Sequence, residues 1–306
     1  MKTYYYHLYG CVLKSEIPYE QLVRFEGEKA LTPEQEDKAI VLGLGGIAED
    51  VLEQYQSGKM LKIKKDFIWF SNEYGIFQIA RGKEIRLQPH ESVSVKNLTS
   101  FVFGYCIAML FWQRGLVAIH CSAVSMNGKA LLIAGGSGAG KSTLTHCFLS
   151  HGAELMCDDV AIVESDGKKV QVYPAFPMQK LCKDAALRNE LNTEKLFCVD
   201  EDRDKYALPY EGAFSTEPKE LGAIVCLNRA AQSACSIERY AGHDSLQAVI
   251  RNLFLKPMFE YSYPFLPEDM LKCLAIAGSV PVYKLLRPMS GDTVEEQRRL
   301  ILEQMS

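Results

Sequence analysis

The run Gly135-Gly136-Ser137-Gly138-Ala139-Gly140-Lys141-Ser142, followed by Thr143, fits G-x-x-x-x-G-K-[ST]. A loop of this pattern cradles the phosphates of a nucleoside triphosphate. Its glycines let successive N–H groups turn toward phosphate oxygens, and the helix that follows adds a partial positive charge at the same spot. Lys141 is placed by the motif to reach the β- and γ-phosphates, and Ser142 to put its hydroxyl on Mg²⁺. The bland alternative is a glycine-rich turn with a solvated lysine. The loop supplies a phosphoryl donor and says nothing of the acceptor.

A second group lies downstream. Asp158-Asp159 ends the predicted strand Glu154–Cys157. Strands that flank a phosphate loop deliver their C-terminal ends to one edge of the sheet. One carboxylate there can hold Mg²⁺ while the other takes a proton from an attacking hydroxyl. Two adjacent carboxylates also raise one pKa, which suits a base. The competing reading is a solvated Asp-Asp turn. His120 interrupts the apolar stretch Val117–Val124. A lone strand histidine is usually a satisfied core residue. Hairpin pairing would carry this one beside the loop strand, where a His–Asp contact would orient the base.

The elements that must position these groups can be read from pattern. Lys129–Ala134 is an apolar run bounded by Asn127-Gly128 and the loop glycines, a buried strand entered by a tight hairpin. Thr143–Ser150 reads as the helix after the loop, with Gly152 at its C-terminal cap. Phe101–Trp112 is the most apolar stretch, shorter than the about 20 residues of a membrane span, and fits a buried helix over about Leu98–Gln113. Val160–Glu164 and Lys169–Tyr173 form a hairpin around Asp166-Gly167. Ala223–Leu227 and Val282–Leu286 read as strands, Ser245–Leu274 as partly helical, and Val294–Gln304 as a closing helix. Hairpins beside a phosphate loop predict a mixed sheet.

Residues 1–95 read as a small α+β region that could recognise substrate, and 96–306 as the catalytic domain. Thr3–Leu13 is extended, Thr32-Pro33 starts a helix, and Asp66–Phe70, Gly75–Arg81 and Glu84–Leu87 are short strands. Within this region Gly43-Leu44-Gly45-Gly46-Ile47-Ala48 fits the dinucleotide fingerprint G-x-G-x-x-[GA], with Ala39–Leu42 as its strand and Ala48–Tyr55 as its helix. The favoured reading is a helix–turn segment with a glycine patch, because a dinucleotide fold needs several βα units.

The order His120-Cys121-Ser122-Ala123-Val124, hairpin, Leu131–Ala134, phosphate loop, helix to His151-Gly152, Asp158-Asp159-Val160 resembles the catalytic domain of HPr kinase/phosphorylase and its kinase-like relatives. The likeness is strong over about Ile119–Val160. Tyr173-Pro174-Ala175-Phe176-Pro177 with Lys180-Leu181, and Val282–Leu285 with Arg287-Pro288, resemble the relatives more weakly. The resemblance implies an α/β fold with a mixed-sheet P-loop kinase domain, similar to the nucleotide-binding half of PEP carboxykinase. It implies ATP and Mg²⁺ as ligands of Lys141 and Ser142, and Asp158 as general base toward a serine hydroxyl. Asp159 and His120 would support that base, with Asp159 also a metal ligand; which aspartate plays which part is open. Lys205 and Arg287 are implied as phosphate or substrate contacts. The Glu-x-Arg-Gly segment that follows the aspartates in HPr kinases is not found here. The closer likeness is to stand-alone HPr-kinase-like proteins, some of which phosphorylate a serine of a ribosomally made peptide such as a lasso-peptide precursor. The expected partner is thus a peptide or small protein carrying a serine. A kinase of a small hydroxylated metabolite and a nucleotide-binding regulatory module that transfers nothing are the alternatives.

Composition sets the bounds. The 306 residues are 48% hydrophobic and 24% charged, with 34 basic against 38 acidic side chains and a net charge of −4. That balance gives no electrostatic reason for a nucleic-acid partner, and no membrane partner is expected. Lys59–Lys65 alternates with apolar residues and reads as the wet face of a strand. Ten cysteines stand without a C-x-x-C pair, and Met1-Lys2 runs straight into tyrosines rather than a signal-like segment, so a reducing cytoplasm is expected. Cys147 and His151 stand four apart beside His146; lacking a second pair, they are not read as a metal cage. A homo-oligomer is left open.

Overall fold

The computed structural model describes residues 2–26, 31–182, 197–200 and 205–305. They form a mixed α/β fold with two large sheets that share a buried helix. The first sheet has seven strands, β1 (Tyr4–Leu8), β2 (Cys11–Ser15), β3 (Ile40–Leu44), β4 (Leu61–Ile63), β5 (Phe67–Ser71), β6 (Gly75–Ala80) and β7 (Glu84–Pro89), in the order β1-β2-β3-β7-β6-β5-β4. The extended run expected over Thr3–Leu13 is instead a hairpin. Tyr9 and Gly10 both take positive φ, 50° and 69°, and a tyrosine carries no turn signal in sequence. Helix α1 (Pro33–Lys38) starts as expected: Thr32 accepts from Gln35 N while the Gln35 side chain accepts from Thr32 N.

The fingerprint segment departs from the helix–turn expected of it. It is strand β3, a glycine turn, then α2 (Glu49–Gln56), and β3 lies parallel to both β2 and β7.

Helix α3 spans Val95–Gln113, three residues longer at its N-terminal end than the apolar stretch suggested, with a π-helical turn at Val102–Cys106. At 19 residues it is long and apolar enough to cross a membrane by length and composition. Here it is a core helix. Ile107, Leu110 and Phe111 are buried in one cluster with Ile79 and Leu87 of the first sheet and Ile119 and Ala161 of the second. A helix hydrophobic all round belongs in such a place.

The second sheet has eight strands: β8 (Val117–Met126), β9 (Lys129–Ala134), β10 (Glu154–Cys157), β11 (Val160–Ser165), β12 (Val170–Tyr173), and, after a three-stranded sheet of β13 (Met178–Cys182), β14 (Phe197–Asp200) and β15 (Lys205–Pro209), β16 (Lys219–Ala230), β17 (Ser236–Arg239) and β18 (Val282–Pro288). It is mixed, as the hairpins predicted. β16 runs parallel to β9 on one side and to β18 on the other, while β8 is antiparallel to β9, β10 and β11. Helix α4 (Lys141–Ser150) follows the phosphate loop; α5 (His243–Arg251), α6 (Lys256–Tyr261), α7 (Pro267–Ser279) and α8 (Val294–Met305) complete the chain.

Candidate active site

Strand β8 is the spine of the site. Its Cys121 pairs with Ala134, the residue before Gly135, on one edge. On the other edge β10 and β11 follow each other in the same direction. Cys157 pairs with Ala123 and Val160 with His120. Asp158 and Asp159 lie in the gap between these pairings. The aspartate pair is therefore a two-residue kink between two strands on the same edge of β8, with both residues partly buried. Asp159 has φ 94°, a conformation L-residues with a side chain rarely adopt. Such strain persists only where the surroundings hold it, and it clusters at functional sites.

Side chains alternate along a strand, so His120 and Ser122 share a face of β8 while Cys121 points the other way into the core. That shared face meets the aspartates. Ser122 Oγ donates to Asp158 Oδ1. His120 Nδ1 lies 3.5 Å from Asp159 Oδ1 and 3.2 Å from the Asp159 carbonyl oxygen. Its Nε2 lies 3.4 Å from Lys141 Nζ. Imidazole thus bridges the aspartate kink and the loop lysine. Main-chain bonds fix its strand from the far side: His120 N donates to Asn252 O at 2.7 Å and Phe254 N to Ala118 O at 2.9 Å, with the Phe254 ring 6.0 Å from the imidazole.

The phosphate loop leaves the C-terminal end of β9. Gly135, Gly138 and Gly140 have φ of 144°, 73° and 108°. A Cβ on Gly135 would collide with the Leu227 carbonyl oxygen of β16, so this position admits glycine alone. Lys141 Nζ donates to the carbonyl oxygens of Gly135 at 2.7 Å and Gly136 at 3.3 Å. Ser142 lies in the first turn of α4, with Thr143 beside it on the exposed side. Gly136, Ser137 and Gly138 are exposed, whereas Ala139 is buried and anchors the loop.

The parallel strands β16 and β18 end at the same edge, and their register sets Arg229 directly beside Arg287. Arg287 Nε donates to Ala139 O at 2.7 Å. Arg229 Nη2 lies 3.8 Å from the Cβ position of Gly138. Burial, and then the neighbouring charge of Arg229, hold the Arg287 pKa below its usual range. Two paired arginines beside exposed N–H groups form a strongly anion-attracting edge. Sequence reading singled out Arg287 as a candidate and not Arg229, because the pairing of β16 with β18 has no local signature.

Two more residues come into the site unannounced. Ser122 is two along from His120, and alternation alone would have put it on the same face. Tyr9, from the β1–β2 turn, reaches across the molecule and donates from its hydroxyl to Val160 O at 2.9 Å. Burial, and then the neighbouring acidic groups Cys157 (a thiol itself held protonated by burial) and Asp159, push its pKa well above the ordinary value. A neutral phenol is thereby wedged behind the aspartate kink. The Lys205 backbone opens β15, opposite Cys182 and Asp200; its side chain lies outside the described residues.

No protein-family model and no curated protein matches the chain. Among solved structures, the HPr(Ser) kinase/phosphatase from Coxiella burnetii is similar to it at 12% identity and a TM-score of 0.30, over 61% of this chain and 98% of that one. A likeness so weak leaves the site to be read from its own geometry.

Proposed function

We propose that the protein transfers the γ-phosphoryl group of ATP to a serine hydroxyl of a peptide or small protein. One observation carries the reading: His120 lies between Lys141 Nζ and the Asp159 carboxylate, and Ser122 on the same face of β8 holds Asp158, so the loop lysine and the aspartate pair meet there. The peptide acceptor rests on the resemblance of this constellation to stand-alone HPr-kinase-like proteins.

ATP would lie along the loop N–H groups and the start of α4, with Arg229 and Arg287 facing its negative charge. Lys141 would exchange the Gly135 and Gly136 carbonyls for phosphate oxygens. The Ser142 hydroxyl and the Asp159 carboxylate are hard oxygen donors of the kind Mg²⁺ takes, and would be its ligands. Mg²⁺ there would neutralise charge on the phosphates. The serine hydroxyl gives its proton to Asp158 as its oxygen bonds to the γ-phosphorus. The bond from that phosphorus to the β-bridging oxygen breaks, and ADP leaves. Ser122 holds Asp158 in place through its hydrogen bond, and His120 holds Asp159.

The test is incubation of the full chain with ATP, Mg²⁺ and serine-containing peptides encoded beside its gene, read by intact mass and ADP release. One added phosphate on a serine per ADP is expected. ATP binding with no phosphate gained by any peptide would overturn the peptide reading, and phosphate appearing on a small molecule of a cell extract would move the acceptor to a metabolite.

A further inference from the structure

Away from the loop's phosphate end, helix α4 carries a second chemistry at its C-terminus. Cys147 and His151 are four apart and so share one face of the helix. The fold supplies what the sequence could not show, a third donor from the first turn of α8, Glu295. The ligand atoms of the three residues lie within 4.8 Å of one another. Cys147 Sγ is 3.4 Å and His151 Nε2 3.7 Å from Glu295 Oε1. Tetrahedral zinc, with bonds of about 2.0–2.3 Å, holds its donors roughly 3.3–3.8 Å apart. Two of the three separations already have that value.

The surroundings fit as well. His151 Nδ1 lies 2.9 Å from Cys147 O. An N–H there donates to the carbonyl and leaves the Nε2 lone pair toward Glu295, the orientation metal-bound histidines are given by their outer partners. Arg298 Nε holds the other carboxylate oxygen, Glu295 Oε2, at 3.0 Å. Cys147 is buried while His151 and Glu295 are exposed, so an ion has a path in and room for a fourth, water ligand.

We propose that Cys147, His151 and Glu295 bind one borderline divalent transition-metal ion of the zinc class, fastening the phosphate-loop helix to the last helix. A sulfur–nitrogen–oxygen set selects such an ion over Mg²⁺, which takes oxygen donors. As the metal–sulfur bond forms, the Cys147 thiol proton passes to solvent, so binding releases a proton and tightens as pH rises.

The experiment uses the chelator-stripped full chain, titrated with Zn²⁺ against a chromophoric chelator, with Co²⁺ as a spectroscopic probe. One tight equivalent is expected, with a thiolate-to-cobalt band that Cys147→Ser abolishes. His151→Ala and Glu295→Gln should weaken zinc binding more than about tenfold. A stripped protein that takes up no zinc, or a Cys147→Ser variant that keeps both the equivalent and the band, overturns the proposal. Should Cys147→Ser fail to fold, the exposed Glu295→Gln decides: unchanged zinc affinity is equally fatal. None of these readouts depends on phosphoryl transfer.

Discussion

Among the described residues stand two strand–glycine–helix units, and they behave differently. In the first, from β3 through Gly43–Ala48 to α2, the helix opens with Glu49 and Asp50. Its turn N–H groups already have protein acceptors: Leu44 N donates to Glu16 Oε2 at 2.8 Å and Ala48 N to Gln78 Oε1 at 2.9 Å. Arg86 packs beside Gly43 but is engaged by Glu84 at 2.6 Å. In the second, from β9 through the phosphate loop to α4, no acid stands in the helix's first turn, and Lys141, Arg229 and Arg287 gather around the glycines. The strand–turn–helix backbone is a permissive frame. Charge at the helix start decides whether it can hold an anion.

The comparison breaks most visibly at its cations. Lys141→Ala should lower phosphoryl transfer at least about 10²-fold, the scale of losing a preorganised charge at a transferring group. Arg86→Ala, its nearest counterpart in the first unit, should leave nucleotide affinity unchanged in a calorimetric titration. Equal losses would mean that the two units are not distinct.

Next come the glycines themselves. Gly135→Ala forces a Cβ onto the Leu227 carbonyl at φ 144° and should destabilise the fold by about 2–4 kcal/mol. Gly45 also has positive φ, 66°, but nothing lies within 4 Å of its Cβ position, so Gly45→Ala should cost only about 1 kcal/mol. Urea midpoints of the two variants measure the difference directly.

The smallest effect is in alkaline titration, where the second sheet and its helices hold most of the described thiols. Burial pushes Cys226 and Cys273 up to about 12. A thiol ionises near 9 when unfolded, so above that pH the folded chain binds more protons than the unfolded one. Stability is therefore fully present below pH 9 and falls as pH rises toward about 12. The urea midpoint should drop over that window, and Cys273→Ala should flatten the drop.

Local signals were legible in the sequence, and pairings between distant segments were not. Lys129–Ala134 and Glu154–Cys157 form with the bounds their apolar runs suggested, and the loop, Asp158-Asp159 and His120 gather as hairpin pairing implied. Arg229, Tyr9 and Glu295 reach their places through strand register, a turn containing a tyrosine, and helix packing. None of these has a signature within a short window. The turn at Asn127-Gly128, with φ of 50° and 77°, was legible for the opposite reason, since its residues are the ones such a turn demands.

The central claim, a triphosphate on the loop with Asp158 as base, is tested most directly by comparing wild type with Asp158→Asn for both ATP affinity and transfer of the γ-phosphoryl group. ATP affinity should be kept while transfer falls by about 10²–10⁴, the range for losing a positioned base. Transfer at the wild-type rate by the variant, or no ATP binding by either protein, would contradict the account.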